Sequence, residues 1–342
     1  MPKRASLLAY AISRLLLALP MLLILLTVVF AVLRILPGDP ITALYGGRAP
    51  PDVVAAAQER LGLNRPYWEQ YAIYLRQIFT GDFGTSLGEI YRGQSVWATV
   101  SQKLPATIEL AVGGMFIASV VGITTGVLGA VRRDTATDVA VRLYGTIIWV
   151  IPIFWLGLMF QLIFAVTLRW FPPSLRYSGA DYPHVVTGFL TIDSLIEGRF
   201  DKFVVAIRHL FLPCLTLGLV LSGFFTKTVR ANLLRTITSD YVEAARARGV
   251  ASRAIVYRYA FKNALIPVVT ILGLQFAILF AGAVLTERTF SWDGMGTLLL
   301  TSIFSKDYPM IQGTIVVYAV LIILISVVID LINGLIDPRV RY

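Results

Sequence analysis

Few residues of this chain have the types and spacing that enzymatic chemistry needs. Ser86 lies in GTSLG, which fits the G-x-S-x-G pattern of a nucleophilic serine. That pattern is meaningful only on a strand-to-helix turn with acid and histidine partners, and the only histidines are His184 and His209. The single cysteine, Cys214, excludes an intramolecular disulfide and a multi-cysteine metal site. We therefore predict no catalytic residue and no metal site.

The chain also lacks the sequence pattern that would let it use ATP itself. A phosphate-binding Walker A loop needs a Gly-Lys pair before Ser or Thr. None of the six lysines follows a glycine. We therefore predict that the chain binds no cofactor and is not an ATPase.

One charged segment, Ser239–Val268, lies between two long apolar runs and carries five basic and two acidic residues. Asp240 followed by Glu243 fits a capping box at the start of a helix. Gly249 is suited to end that helix because glycine readily adopts a positive φ. Ser252 could then cap a second helix. The pattern predicts a helix–turn–helix in water.

Two explanations of this segment remain open from the residues alone. Its arginines could hold it to anionic lipid, which is worth about 1 kcal/mol per basic residue. Alternatively, its small residues could seat the first helix in a groove of a partner protein. The small face, with the arginines around it, consists of Tyr241, Val242, Ala244, Ala245 and Ala247. The capped break and the alanines favour a protein partner.

Long apolar runs dominate the rest of the chain, which is 57% hydrophobic and only 15% charged. About 20 apolar residues cross a bilayer as a helix. Six segments are long enough or nearly so: Leu15–Leu33, Leu110–Val131, Leu143–Leu168, Leu210–Thr226, Ala264–Thr286 and Met310–Ile329. The fourth is the shortest. The first is read as a retained helix rather than a signal peptide, because no small-x-small cleavage site follows it. We predict an all-α polytopic membrane protein with six membrane helices.

The net charge of +10 is distributed as expected for a membrane protein rather than for a nucleic-acid-binding one. If the N-terminus is inside and six helices alternate, the inner side has 16 basic and five acidic residues, and the outer side 14 and 13. Glu109 and Asp330, at the ends of apolar segments, belong to neither count. Basic residues are enriched in cytoplasmic loops. The pattern places both termini in the cytoplasm, and it predicts contact with lipid but no nucleic-acid partner.

The same topology divides the chain into three regions. Residues 1–34 form the cytoplasmic N-terminus and the first membrane helix, and residues 35–106 form a small outer domain. That domain should contain helices at Pro51–Leu63 and Tyr67–Phe79. Residues 107–342 form the core, in which residues 239–264 are the charged cytoplasmic segment.

Two predicted membrane helices carry residues that indicate what one of their faces contacts. Small residues recur every four positions in the second helix, at Gly114, Ala118, Gly122 and Gly126. In lipid, such residues let two helix backbones approach closely. The third helix contains Pro152, which permits a kink. It also carries candidates for the wall of a translocation path, although ordinary helix packing is the better explanation of each one taken singly: Trp149, Phe154, Trp155 and Gln161.

Nine stretches along the chain resemble one family. EAARARG, Glu243–Gly249, looks like the EAA motif of ABC-importer permeases, and NALIPVVT, Asn263–Thr270, looks like its continuation in the peptide-transport subgroup. The agreeing stretches elsewhere are LPGDP (36–40), GDFGTSL (81–87), LPATIEL (104–110), HLFLPCLTLGL (209–219), FSWDGMG (290–296), KDYPMIQG (306–313) and DPRVRY (337–342). The chain resembles the first of the two permease subunits of dipeptide, oligopeptide and nickel importers (DppB/OppB-like).

This resemblance implies the partners and the mechanism. The partners would be a second homologous permease, two cytoplasmic ATPases that hold ATP and Mg²⁺, and an extracytoplasmic substrate-binding protein. The charged segment would be the coupling helix, which seats in an ATPase cleft and transmits its closure to the membrane helices. The residues expected to couple are Asp240, Glu243, Ala244, Ala245, Arg246, Gly249, Arg253 and Asn263.

The substrate and one other class of transporter stay open. Di- and oligopeptides are expected, with nickel chelates, glutathione or another small solute as alternatives within the family. An ion-coupled secondary transporter is the remote alternative. It normally carries ionisable residues deep in its helices, whereas Glu109, Lys227 and Asp330 lie at the ends of the apolar segments.

Overall fold

The protein is described by a computed structural model that covers residues 7–35, 64–336 and the single positions 52, 55, 58 and 59. The predicted helix Pro51–Leu63 and two of the family-like stretches, 36–40 and 337–342, therefore lie outside the described residues, apart from the four single positions. The described residues are mainly helical. The α-helices are α1 (Leu7–Ile35), α2 (Tyr67–Thr80), α3 (Val96–Val131), α4 (Ala136–Val150), α5 (Ile153–Phe160), α6 (Leu190–Ile196), α7 (Phe200–Ile237), α8 (Asp240–Ala247), α9 (Ser252–Ala254), α10 (Phe261–Thr289), α11 (Met295–Phe304) and α12 (Tyr308–Ile336). Two π-helical stretches, Gln161–Thr167 and Ile255–Ala260, follow α5 and α9.

Within the described residues, four helices are long and apolar enough to cross a membrane: parts of α1 and α12, and the whole of α3 and α7. The bent pair formed by α4 and α5 with its π-helical end would be a fifth. These helices support the predicted polytopic all-α class. The fourth predicted segment, which is short in the sequence, extends to 38 residues in α7. The fifth predicted segment lies inside α10, but its crossing of the membrane stays a prediction.

The predicted membrane segment Leu143–Leu168 is interrupted at Pro152, and the interruption is larger than the expected kink. The chain bends by 101° between α4 and α5. Ile151 precedes Pro152 and has the extended values φ −64° and ψ 127°. A proline ring disfavours the helical conformation in the residue before it, so the expected kink becomes a complete break.

The chain divides into two compact units. The larger contains Ala106–Trp292, and α7 is its central helix, packed against α4, α5, α6 and α10. A buried stripe recurs about every four residues along α7, at Leu217, Leu221, Phe225, Val229 and Leu233. This spacing places the stripe on one helix face, where the neighbouring helices cover it.

The smaller unit contains Ile12–Pro105 and Asp293–Leu324. Its core joins α1, α2 and α12 through Leu26, Phe30, Tyr74 and Val316. The predicted helix over Tyr67–Phe79 is confirmed: α2 ends at Gly81, whose φ is +73°.

Two of the family-like stretches meet in this smaller unit. Asp307 accepts hydrogen bonds from the Ser86 hydroxyl at 2.5 Å and from the Leu87 N–H at 3.1 Å. Ser86 is therefore bonded to a buried carboxylate at the start of α12. This contact joins GDFGTSL to KDYPMIQG.

Candidate coupling site

Helix α8 begins almost directly after α7, and only Thr238 and Ser239 separate them. The predicted capping box is wrong, because Ser239 rather than Asp240 takes the N-cap position and no side chain caps the helix. Ser239 is the extended residue before α8, with φ −82° and ψ 151°, and its hydroxyl donates to the Thr236 carbonyl at 2.6 Å. Asp240 and Glu243 instead lie in the first turn, where the helix dipole favours negative charge.

The predicted end of α8 at Gly249 is confirmed. Gly249 has φ +77°, which glycine adopts without a side-chain clash. Its N–H donates to the Arg246 carbonyl at 3.0 Å, and the Val250 N–H donates to the Ala245 carbonyl at 3.2 Å. This pair of bonds is the Schellman motif, which satisfies carbonyls that a helix end leaves unpaired.

The predicted second helix is longer than expected, and Ser252 does not cap it. Ala251 takes the N-cap position, and α9 continues through the π-helical stretch into α10. Pro267 therefore lies inside α10 rather than at the start of a separate membrane helix. As a result, a largely continuous helical rod links the charged segment to the apolar part of α10.

Helix α8 has an inner and an outer face. Val242 and Ala245 are fully buried, and α8 packs against the end of α7 and the stretch Ile255–Ala260. Ala245 therefore packs within this chain, contrary to the expectation that it seats in a partner. The exposed residues of the segment include Glu243, Ala244, Arg246, Ala247, Arg248 and Arg253.

Asn263 joins the two arms of the charged segment. Its side-chain amide donates to the Tyr241 hydroxyl of α8 at 2.9 Å and to the Tyr259 carbonyl at 3.3 Å. Asn263 thus connects α10 to α8 inside the chain. A movement of α8 would reach α10 through this contact.

An ion pair that sequence reasoning missed joins α7 to α4. Asp138 is completely buried, and its two oxygens accept from Arg230 Nε at 2.6 Å and Nη2 at 2.8 Å. Two parallel bonds between a guanidinium and a carboxylate fix orientation as well as charge. Asp138 lies in the sequence RRDTATD with Arg142 four residues later, but that local pattern gives no hint of Arg230, 92 residues away.

The small residues of α3 lie against α7. A Cβ atom added to Gly122 would lie 2.3 Å from the Phe225 Cβ, and one added to Gly126 would lie 2.7 Å from the Val229 Cβ. Gly114 faces Leu217 in the same way, and Ala118 is fully buried. The two helices therefore approach so closely at these positions that a larger side chain would force them apart.

The candidate path residues differ from one another in their surroundings. Trp149 packs against Phe224, with ring centroids 5.6 Å apart, whereas Phe154 and Trp155 are half-exposed. The Gln161 amide donates to the carbonyls of Pro173 and Thr289, at 2.7 and 3.0 Å. Gln161 thus attaches the loop that follows its own helical stretch to the end of α10.

The loop over residues 169–199, which the topology prediction places outside, is held by buried charges that the sequence did not indicate. Arg176 donates to Glu109 at 2.7 Å and lies 5.5 Å from the centre of the Trp292 ring. The other Glu109 oxygen accepts from the Thr191 N–H at 2.9 Å and the Thr191 hydroxyl at 2.5 Å. The loop is therefore anchored to α3 through one carboxylate.

A second charged cluster fixes the far end of the same loop. Lys202, whose side chain is 3% exposed, lies 2.8 Å from Asp181 and 2.7 Å from Glu197. Hydrogen bonding to its ammonium holds the pKa of both carboxyls below the usual range. Together the two clusters order a loop that is rich in proline.

Most of the chain matches known protein families. Residues 122–342 match the family described as "Binding-protein-dependent transport system inner membrane component", and residues 7–111 match its N-terminal counterpart. The chain is 39% identical over 335 residues to the "Dipeptide transport system permease protein DppB" of Alkalihalophilus pseudofirmus, covering 98% of this chain and 100% of that protein.

Two further relatives extend the comparison. The "Di/tripeptide transport system permease protein DppB" of Pseudomonas aeruginosa is 38% identical, covering 92% of this chain and 93% of its own length. The "Oligopeptide transport system permease protein AppB" of Bacillus subtilis is 32% identical, covering 98% and 99%. The resemblance carried by the nine sequence stretches is confirmed. The chain belongs to the family of inner membrane components of binding-protein-dependent transport systems.

Proposed function

We propose that this chain is the permease subunit of an ATP-driven importer of peptides, and that α8 is its coupling helix. The substrate is inferred from the relatives, which are named for dipeptides, di/tripeptides and oligopeptides. Nickel chelates and glutathione remain the alternatives within the same importer type.

The observation that carries this proposal is the two-faced structure of α8. Its inner face is fixed by Val242 and Ala245, while Glu243, Ala244 and the arginines face outward. A short, rigid, exposed helix fits into a groove of another protein and can be pushed as a unit. The Asn263 contact and the short link to α7 would pass that push to two long helices.

The partners follow from the family. A binding-protein-dependent system includes an extracytoplasmic binding protein and ATPases. We infer two cytoplasmic ATPases that hold ATP and Mg²⁺, together with a second homologous permease beside this chain. In that arrangement the chain itself hydrolyses nothing, both of its termini lie in the cytoplasm, and α8 meets an ATPase there.

The first experiment identifies the partners. The chain is tagged at its N-terminus, extracted gently from its own membrane, and analysed by mass spectrometry for co-purifying proteins. We expect a second permease and one or two ATPases with Walker sequences. Recovery of the chain alone, or only with copies of itself, would favour a secondary transporter.

The second experiment tests coupling with Glu243→Ala and Gly249→Pro. Proline fixes φ near −65°, which is incompatible with the left-handed backbone at Gly249, and it removes the N–H that binds the Arg246 carbonyl. We expect both variants to insert normally into the membrane but to lose at least about 90% of ATP-driven peptide uptake. A tenfold lower rate requires the loss of only about 1.4 kcal/mol of coupling free energy.

Arg133→Ala is the control for this experiment, because Arg133 is an exposed charged residue in the other short inner loop. It should leave uptake near the wild-type rate. Normal uptake in both α8 variants would refute the coupling role, even if the ATPases still co-purify.

A further inference from the structure

The residues after the broken span and one face of α7 line a small open cavity in the larger unit. Its volume is about 280 Å³, near the lower end of the roughly 300–1,000 Å³ of ligand sites, so it suits a headgroup-sized anion better than a peptide. The residues that line it are Arg169, Phe171, Pro172, Ser178, Val205, Arg208 and His209. None of these described residues is acidic.

The two arginines have donors available for a ligand. Arg208 donates from Nη2 to the Trp170 carbonyl at 2.8 Å, and a guanidinium has five N–H donors. The Arg169 side chain makes no hydrogen bond or ion pair with any described residue. The cavity thus offers positive charge that the described part of the chain does not neutralise.

His209 serves as a wall of the cavity rather than as a third cation. Its Nδ1 lies 3.0 Å from the carbonyl oxygens of both Ser174 and Leu175, so this nitrogen carries the proton. Its Nε2 lies 2.9 Å from the Ser178 hydroxyl and accepts from it. Both ring nitrogens are therefore already used.

The walls are held in place before any ligand arrives. Phe171 stacks on Phe211 with ring centroids 4.6 Å apart. The Trp170 N–H donates to the Phe164 carbonyl at 2.8 Å. A pre-formed site binds more tightly because less freedom is lost on binding.

The position of the arginines identifies the anion. Arg169 follows directly on the apolar segment that ends at Leu168, and Arg208 lies just before the one that begins at Leu210. Trp170, which follows Arg169 and whose carbonyl accepts from Arg208, is more than half exposed. Tryptophan at the end of membrane helices lies at the level of lipid headgroups. The anionic group concentrated at that depth is the phosphate of a phospholipid.

We propose that this cavity binds the headgroup phosphate of an anionic phospholipid, with Arg169 and Arg208 as its two cations. Arginine matches the geometry of phosphate through paired N–H groups. The site is separate from α8, and the proposal depends on neither the peptide substrate nor the coupling role.

Native mass spectrometry of the purified importer tests this proposal, with phosphatidylglycerol added to the detergent. We compare the wild type with the double variant Arg169→Gln/Arg208→Gln. Because each basic residue near a lipid surface contributes about 1 kcal/mol, the double variant should bind phosphatidylglycerol at least about tenfold more weakly. Arg199→Gln is the matched control, since Arg199 lies in the same outer loop but is paired with Asp181 and Asp201. It should bind as the wild type does.

Val205→Phe provides an independent variant, because it fills the cavity and keeps both arginines. It should lose the lipid as well. Folding of each variant is checked through Cys214, which is buried in the same unit and should stay unreactive towards maleimide.

Three results would overturn the proposal. The first is unchanged phosphatidylglycerol binding in the folded double variant or in folded Val205→Phe. The second is equal retention of phosphatidylcholine, which carries the same phosphate without net charge. The third is arginine-dependent binding of inorganic phosphate at the same affinity in the absence of lipid, which would identify a free anion as the ligand.

Discussion

Some buried charges among the described residues are placed in ion pairs, and Glu109 with Arg176 is the clearest example. The side chains are 7% and 11% exposed, and the donor–acceptor distance is 2.7 Å. Removing one member of a buried pair leaves an uncompensated charge, whereas replacing both by apolar groups is often nearly neutral. At the residue scale, the pair therefore determines whether the outer loop stays attached to α3.

We predict that Arg176→Met lowers the free energy of unfolding by about 3 kcal/mol, because the Glu109 carboxylate is left buried. The double variant Glu109→Gln/Arg176→Met should recover most of that loss. Thermal unfolding of the purified chain in detergent measures both changes. As a control, Arg65→Met breaks only the exposed 3.9 Å pair with Glu69 and should cost less than about 1 kcal/mol. Equal losses in the single and double variants would mean that the pair itself is not the source of stability.

Close backbone packing between α3 and α7 is the main feature at the element scale. The four-residue spacing of glycine and alanine in α3 is readable in the sequence, but only the structure identifies α7 as the partner helix. Gly218 on α7 makes the same kind of contact with Ile117 of α3, and Gly223 on α7 makes one with Ile148 of α4. Small residues on both sides of a crossing let two helices approach within lipid.

Gly122→Ala tests this contact with one added methyl group. Alanine is the better helix former by about 1 kcal/mol. However, its Cβ would lie 2.3 Å from the Phe225 Cβ and 2.9 Å from the Ser222 carbonyl oxygen, and overpacking costs about 1–3 kcal/mol. We expect the steric cost to exceed the gain, so that the melting temperature falls. Thr124→Ala, on an exposed face of the same helix, is the control and should change it little. A higher melting temperature for Gly122→Ala would show that the helices can separate at no cost.

Orientation in the membrane is a property of the whole molecule. The proposed cytoplasmic side has 16 basic and five acidic residues, against 14 and 13 outside. The enrichment of arginine and lysine in inner loops sets the direction of insertion. The loop between α3 and α4 and the outer loop after α5 should therefore lie on opposite sides.

Single cysteines test this orientation, because the native Cys214 is buried and adds little background. Arg133→Cys and Ala180→Cys are both at exposed positions. The cells are treated so that a membrane-impermeant maleimide reaches the outer face of the cytoplasmic membrane but does not cross it. The maleimide should then label Ala180→Cys, and it should label Arg133→Cys only after lysis. The reverse pattern would invert the topology and remove α8 from the cytoplasm.

Local signals in the sequence determined the class of this protein and the place of its charged segment. Hydropathy located the long membrane helices α1, α3, α7 and α12, because twenty apolar residues in a row have few alternatives to a bilayer. Gly249 marked the end of α8, since a positive φ is a property of one residue. The ordered stretches around it were sufficient to indicate the family, which the comparisons confirm.

The tertiary structure alone decided which side chains meet. Glu109 and Arg176 are 67 residues apart and Asp138 and Arg230 are 92 apart, so no local pattern could pair them. The same holds for Ala245, which sequence reasoning placed on the outer face of α8 but which packs within the chain. Ser239 displaced Asp240 from the cap because α7 runs on to Ile237. Which side chains pair and which face of α8 is buried depend on the length of each helix and on its rotation against its neighbours. Packing in three dimensions determines both the length and the rotation.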